Sequence, residues 1–183
     1  MRNENGRALV RPAEAADAGE VAALHVEAWR ETYRGILPDA MVDGLTMEEA
    51  LASWQAALAP ASDQMAFVGA NANGRLVGIA SGCRSNEPSA PDAGVLDKLY
   101  IVKAGQGLGL GRRLLAAVAE ALHAQGHAEM IVVVHADNPA AQFYAAMGGH
   151  EAARRERLHR VHPCPEILFA WPLPLSLQER SAP

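Results

Sequence analysis

The stretch YIVKAGQGLGLGRRLL, Tyr100 to Leu115, sets four glycines into seven positions between an apolar run that reads as a strand and a run with helical periodicity. Ordering glycine costs more backbone entropy than ordering other residues, so something must offset that cost here. A strand–glycine–helix join brings backbone N–H groups and the positive end of a helix dipole to one point. Without side chains in the way, a phosphate can approach those groups closely. Two phosphate motifs fail on inspection. A P-loop ends in Gly-Lys-Ser/Thr, whereas this segment runs Gly111-Arg112-Arg113 and offers no hydroxyl for magnesium. The dinucleotide fingerprint GxGxxG breaks at Leu110 counted from Gly105 and at Arg112 counted from Gly107. On these residues alone, a connection without a ligand stays open.

The flanking chain alternates strands and helices. "ALVRPA" near the start reads as a short strand. Asp17 with Glu20 reads as a capping box opening a helix that Gly35 ends, with Val21, Leu24 and Ala28 as its buried stripe. Thr46 with Glu49 repeats the signal for a helix to about Leu58. "QMAFVGA" and "RLVGIASGC" flank Asn73-Gly74, a hairpin signal, and a loop rich in Ser, Pro and Asn runs from Arg84 to about Ala93. "GVLDKLYIV" is the strand that feeds the glycine segment, and the following helix runs from about Gly109 to Gln125, where Gly126 stops it. "EMIVVVH" has the unbroken apolar character of a strand covered on both faces. A further helix starts at Asn138 with Pro139 in its first turn and closes at Gly148. "HEAARRERL" and "EILFAWPL" are strands joined by "HRVHPCP". The order predicts an α/β sheet with helices on both faces.

With 183 residues, half of them hydrophobic, the chain suits one domain spanning 1–183. A formal net charge of −5 argues against a general nucleic-acid binder and mildly favours a cationic or neutral small substrate. Cys83 and Cys164 make no metal or redox spacing. His159, His162 and Cys164 lack a fourth ligand, so no metal is expected. "MRNENGRALVRP" lacks the apolar core of a signal peptide, and no apolar run approaches a membrane span. A cytoplasmic protein with no membrane partner is expected.

Gln106-Gly107-Leu108-Gly109-Leu110-Gly111 follows "LYIV" at a fixed offset. This resembles the acyl-CoA pyrophosphate loop of the GNAT N-acetyltransferase superfamily, commonly L-Y-V-x-P-x-x-[QR]-G-x-G-x-G-x-x-L. Leu99, Tyr100, Ile101, Gln106, Gly107, Gly109, Gly111 and Leu114 match, and Lys103 replaces the common proline. A second block, Asn138, Ala141, Phe143, Tyr144 and Gly148, resembles the family's N-x-x-A-x-x-[FL]-Y-x-x-x-G helix, with Gly149 where Phe is usual. The resemblance is strongest from about Val95 to Gly149. It implies the GNAT fold, with a mixed, mostly antiparallel central sheet, and acetyl-CoA as co-substrate. It also implies that Leu99, Tyr100, Ile101, Gln106, Gly107, Leu108, Gly109, Leu110, Gly111, Arg112, Asn138, Ala141 and Tyr144 contact that co-substrate.

The reaction so implied is attack of an amine on a thioester. The amine must be neutral, yet an alkylamine with pKa near ~10.4 is about 99.9% protonated at pH 7, a deficit on the order of 4 kcal/mol. Asp97, on the strand ending in "LYI", is the candidate base, with a surface ion pair to Lys98 or another base as the alternative reading, and strand alternation predicts that Asp97, Leu99 and Ile101 share one face. The resemblance puts the donor to the carbonyl oxygen at the Ile101 N–H, freed from sheet pairing by a bulge. Tyr144 is the expected proton donor to the departing thiolate, although its stripe with Ala140, Phe143 and Met147 also suits a core aromatic. On the first helix His25, Trp29 and Tyr33 fall at i, i+4 and i+8 on one face. "AWRETYRGILPD" resembles the opening helix and loop of GNAT subfamilies that acetylate small molecules, where this region borders the acceptor groove. Packing on the sheet would explain the same aromatic residues. The function expected is acetyl transfer to a small-molecule amine, the alternatives being a non-catalytic acyl-CoA-binding regulatory domain or acetylation of a protein amine. A homodimer through the tail strands is compatible by fold analogy.

Overall fold

Seven strands form one sheet in the order β1-β2-β3-β4-β5-β7-β6, in a computed structural model that describes residues 9–159 and 162–176. The strands are β1 (Leu9–Pro12), β2 (Met65–Ala70), β3 (Leu76–Arg84), β4 (Gly94–Ile101), β5 (Glu129–His135), β6 (His150–His159) and β7 (His162–Pro172). The helices are α1 (Ala18–Tyr33), a single turn α2 (Asp39–Val42), α3 (Met47–Ala57), α4 (Leu110–Ala124) and α5 (Ala140–Ala146). Only β4 and β5 run parallel; every other neighbouring pair is antiparallel. This is the mixed, mostly antiparallel sheet expected from the sequence. The tail differs in detail: "HPCP", read as loop, lies in β7, so His162 and Cys164 are strand residues. Residues 160 and 161 of the join fall outside the described residues.

The seat of α4 explains most of the glycines in the strands. Leu110, Leu114, Val118 and Leu122 form one row at i, i+4 spacing, and all are buried against the sheet. A Cβ at Gly69 would stand 2.6 Å from Leu110 Cδ1, at Gly82 2.7 Å from Val118 Cγ1, and at Gly94 2.6 Å from Leu122 Cδ2. Gly78 likewise lies 2.9 Å beneath Leu110 and 3.0 Å beneath Leu114 by the same construction. Three strands have thus given up side chains along a diagonal so that the helix can settle on their backbone. Burial of a Leu- or Val-sized side chain stabilises by about 1.5–3 kcal/mol.

α1 and α3 cover the opposite face. Their contact is held by Trp54 Nε1, which donates to His25 Nδ1 at 3.2 Å, both residues being buried. Burial, helped by the nearby Lys98 charge, brings the His25 pKa down to about 4. The ring is therefore neutral at pH 7 and can accept from Trp54. The Thr46–Glu49 capping box is present as read, with Glu49 N donating to Thr46 Oγ1 at 3.2 Å and Thr46 N to Glu49 Oε2 at 3.1 Å. The Asp17–Glu20 box is not. Asp17 accepts from Glu14 N at 2.8 Å and from both Arg11 terminal nitrogens at 2.7 and 2.8 Å, while Glu20 accepts from Leu76 N at 2.8 Å. The box is Glu14–Asp17, one turn earlier, because the fork of Arg11 on β1 competes for the Asp17 carboxylate.

The loop after β3 crosses the far wing of the sheet. Its Glu87 accepts from Arg155 NH1 and NH2, each at 2.8 Å, and from Arg157 at 3.2 Å. The Arg155 guanidinium is the main reason that the Glu87 pKa falls to about 2. Among the described residues no helix is long and apolar enough to cross a membrane.

Two outcomes follow from this packing. Gly94→Ala is expected to lose about 1–3 kcal/mol by overpacking, and Leu122→Ala in that background to cost less than in the wild type, as urea denaturation of the double-mutant cycle will read. The second concerns acid. Because the folded His25 pKa lies below its ordinary 6.5, the unfolded chain protonates first, so stability falls as pH drops from 6.5 towards 4, by up to about 3 kcal/mol. His25→Gln keeps an acceptor for Trp54 and is expected to flatten that stretch of the stability–pH curve.

Candidate active site

The site begins where the sheet comes apart. β4 and β5 pair only through Gly94–Met130 and Val95–Ile131 and then diverge, while β3 and β7 continue to hold their outer edges. Val102 N donates to Val77 O at 3.1 Å, and Ile101 sits opposite Gly78. Antiparallel ladders alternate bonded and non-bonded pairs, so the N–H groups of Leu99 and Ile101 turn away from β3 and into the gap. Gln106 Nε2 donates to Ile101 O at 3.0 Å, anchoring the glycine segment to the end of β4. The bulge expected at Ile101 is elsewhere. Leu96 faces Gly82 and Lys98 faces Ser81, which leaves Asp97 as the extra residue. The β3–β4 ladder aims the Ile101 amide, and divergence from β5, not a bulge, is what frees it from sheet pairing.

The glycines of the opening stretch divide into two kinds. Gly107 and Gly109 have φ of 75° and 70°, a left-handed backbone that other residues adopt only with strain, and a Cβ on either would meet nothing within 4 Å. Gly105 and Gly111 are packing positions: a Cβ would lie 2.9 Å from Val77 at the first, and 3.2 Å from Ile101 Cδ1 and 3.3 Å from Phe143 at the second. The result is an exposed turn at the N-terminus of α4, with Leu108 60% exposed at its tip. Leu110 is a core side chain whose backbone opens the helix, and Arg112 stands half-buried in the first turn.

All three tyrosines of the chain converge beyond the gap, Tyr33 from the end of α1, Tyr100 from β4 and Tyr144 from α5. The Tyr33 hydroxyl accepts from Asn138 Nδ2 at 3.2 Å, and Asn138 Oδ1 accepts from Ala140 N at 2.9 Å, so Asn138 both starts α5 and ties it to α1. The hydroxyls of Tyr33 and Tyr100 interact, and the Tyr144 hydroxyl lies within electrostatic reach of both. Tyr144 is 4% exposed, its ring edge-on to Trp171 at 6.0 Å and to Phe143 at 5.5 Å. Tyr144 thus belongs to the core and to this cluster at once. Burial is the first cause that raises all three phenol pKa values above the ordinary 10. Three neutral phenols can donate hydrogen bonds or protons here, and none is a base at pH 7.

Asp97 and Lys98 form the other side of the site. Asp97 Oδ2 lies 3.4 Å from Ser81 Oγ and pairs with Lys98 Nζ, which stands 5.7 Å from the centroid of the Trp54 ring. Ile101 instead packs towards α4, its Cγ1 3.4 Å from the place a Gly78 Cβ would take. The expected shared face of Asp97, Leu99 and Ile101 therefore does not form. The bulge resets the alternation and puts Asp97 with Lys98 and Tyr100 on the α1 side. His25, Trp29 and Tyr33 do share a face, but two of them have structural partners. His25 holds Trp54 and lies 4.9 Å from the Tyr100 ring; Trp29 Nε1 donates to Val42 O at 3.1 Å and its ring lies 4.3 Å from Tyr33. Only Tyr33 carries its polar atom to the cluster. The ion pair with Lys98, the alternative reading of Asp97, is present; the sequence reading missed Trp54 and Ser81, which line this side from α3 and β3. A cleft of about 330 Å³ lies next to Lys98, bordered by Ser53, Trp54, Ser62, Asp63 and Gln64.

Comparison with known proteins bears on this geometry. A family model described as an acetyltransferase (GNAT) domain matches residues 37–159. The uncharacterized N-acetyltransferase YuaI of Bacillus subtilis (strain 168) is 34% identical over 164 residues, which cover 89% of this chain and 92% of that protein. In solved structures the fold recurs in the PaiA N-acetyltransferase of Thermoplasma acidophilum in complex with coenzyme A, with a TM-score of 0.70 at 16% identity over 90% of this chain and 98% of that one. It recurs again in YncA of Salmonella typhimurium with its cofactor acetyl-CoA, with a TM-score of 0.69 at 20% identity over 97% and 98% of the two chains. The structural likeness establishes the fold, and the family match over more than half of the sequence establishes descent: this chain belongs to the GNAT family of N-acetyltransferases.

Proposed function

We propose that this enzyme moves the acetyl group of acetyl-CoA to the amine of a small molecule, and that the β4–β5 gap is where the two meet. The observation that carries the reading is the alignment of three features along that gap: the left-handed glycine turn at one end, the Leu99 and Ile101 amides along its wall, and the tyrosine cluster beyond. The relatives solved with coenzyme A or acetyl-CoA support the choice of co-substrate.

The residues fit the group. The amides of Gly107 to Arg112 at the start of α4 suit a diphosphate, because the backbone there is exposed and a side chain at Gly107 or Gly109 would stand in the space a ligand needs. Asn138 and the half-buried Ala141 border the path of the pantetheine arm. When bound, acetyl-CoA supplies an activated acyl carbon and a thiolate leaving group. The Ile101 and Leu99 N–H groups are fixed donors for negative charge on an acyl oxygen and need no reorganisation to act. Tyr144, neutral in its buried site, holds a proton on its phenol oxygen that a thiolate can take. Asp97, a carboxylate on the α1 side, is the group to receive the amine's proton, directly or through water. Tyr33 and Tyr100 line the same side and border the acceptor.

The deciding measurement is thiol release from acetyl-CoA in the presence of an amine panel, together with thermal stabilisation by coenzyme A alone. Gly109→Asp is expected to abolish the stabilisation, through bulk and like charge at the diphosphate; an unchanged shift would refute the cradle. Tyr144→Phe is expected to hold acetyl-CoA affinity within about threefold while turnover falls on the order of 10²-fold. Unchanged turnover would remove Tyr144 from the chemistry.

A further inference from the structure

Adjacent residues in a regular strand point to opposite faces. Asp97 and Lys98 do not. The bulge at Asp97 sets an acid and a base side by side on the α1 side of β4, paired with each other and half-buried, with side-chain exposures of 34% and 27%. A half-exposed ion pair adds little to stability, and a bulge gives up a ladder position. Bulges are enriched beside active sites, where they re-aim a side chain. The pair sits where such re-aiming would matter. Tyr100, of the tyrosine cluster, is the next same-side residue along β4, about 7 Å from Lys98 at the usual strand rise. In another direction Lys98 borders the 330 Å³ cleft, with the Trp54 ring as a wall. That volume falls within the range of about 300–1,000 Å³ typical of small-molecule pockets.

Resting on the function proposed above, we infer that the acceptor is a zwitterion, an amine and a carboxylate carried close together on one small molecule, which exchanges partners with the Asp97–Lys98 pair. Its ammonium takes the Asp97 carboxylate, its carboxylate takes the Lys98 ammonium, and the remaining substituent extends over Trp54 into the cleft. The logic is competition. A simple amine has to displace Lys98 from Asp97 and leaves the lysine charge without a counter-charge. A polyamine adds repulsion from Lys98. A zwitterion re-pairs both charges at once, so the internal pair acts as a filter against amines that lack an acid. Ser53, Ser62 and Gln64 add neutral hydrogen-bonding groups to the cleft wall, and Asp63 adds an acid that favours a neutral or cationic substituent over a second carboxylate.

The test uses the full chain with acetyl-CoA and three matched series: L-leucine, L-methionine and L-phenylalanine, each with its amide and its decarboxylated amine. Thiol release is expected to give kcat/KM at least tenfold higher for the acid than for the other two members of at least one series. Lys98→Met should bring that preference close to one, and Lys98→Arg should retain it. Thermal stabilisation of the coenzyme A-saturated protein by the same compounds reads the same preference without turnover. Equal handling of acids, amides and amines in both readouts overturns the inference, as does a preference that survives Lys98→Met. Failure of the underlying acetyltransferase reading would look different: no stabilisation by coenzyme A and no thiol release with any amine.

Discussion

One helix seated on bare backbone sets the rest of the molecule. The Leu110–Leu114–Val118–Leu122 row lies against Gly69, Gly78, Gly82 and Gly94 with almost no clearance, so α4 has little freedom to slide or roll. The first residue of that row is also the first residue of the helix. Packing therefore fixes the height at which α4 begins, and with it the position of the two left-handed glycines. The Gln106–Ile101 bond ties the same turn to the end of β4, so the turn is held from both sides.

Across the gap, precision comes from backbone and not from long polar side chains. The parting of β4 from β5 exposes amides whose direction is set by the β3–β4 ladder. The tyrosine cluster is braced in turn by neighbouring rings: the core rings of Trp171 and Phe169 behind Tyr144, buried His25 against Tyr100 and half-buried Trp29 against Tyr33. Each phenol of the cluster is thus a packing residue too. Its burial keeps it protonated, and its neighbours keep it in place.

Features written in a few adjacent residues were legible in the sequence. The Thr46–Glu49 box, the Asn73-Gly74 turn, the glycine stretch and the Asn138 start of α5 each depend on neighbours within about four positions, and the order of strands and helices follows from periodicity. Features that depend on distant partners were not. Asp17 looked like the cap of α1, but Arg11 on β1 competes for its carboxylate. The bulge at Asp97 is a property of its register with Ser81 and Gly82 on β3. Nothing in "GVLDKLYIV" marks it, which is why the alternation of that strand was misassigned. His25, Trp29 and Tyr33 were correctly grouped by their spacing, yet Trp54 and Val42 occupy two of them, and both come from elements later in the chain. The meeting of all three tyrosines had one available clue, their scarcity, and needed three separate elements to be placed first.

The Glu87 clamp has a consequence for how this protein can be altered. Its carboxylate side chain is only 8% exposed and is held by arginines that sit on a different strand, Arg155 and Arg157 of β6. The segment between β3 and β4 and the terminal hairpin therefore form one electrostatic module. Replacing the β6–β7 hairpin by one without these arginines would leave the Glu87 carboxylate buried and unpaired, a fault that typically costs about 3–5 kcal/mol, whereas loss of Glu87 alone leaves both arginines with Glu166.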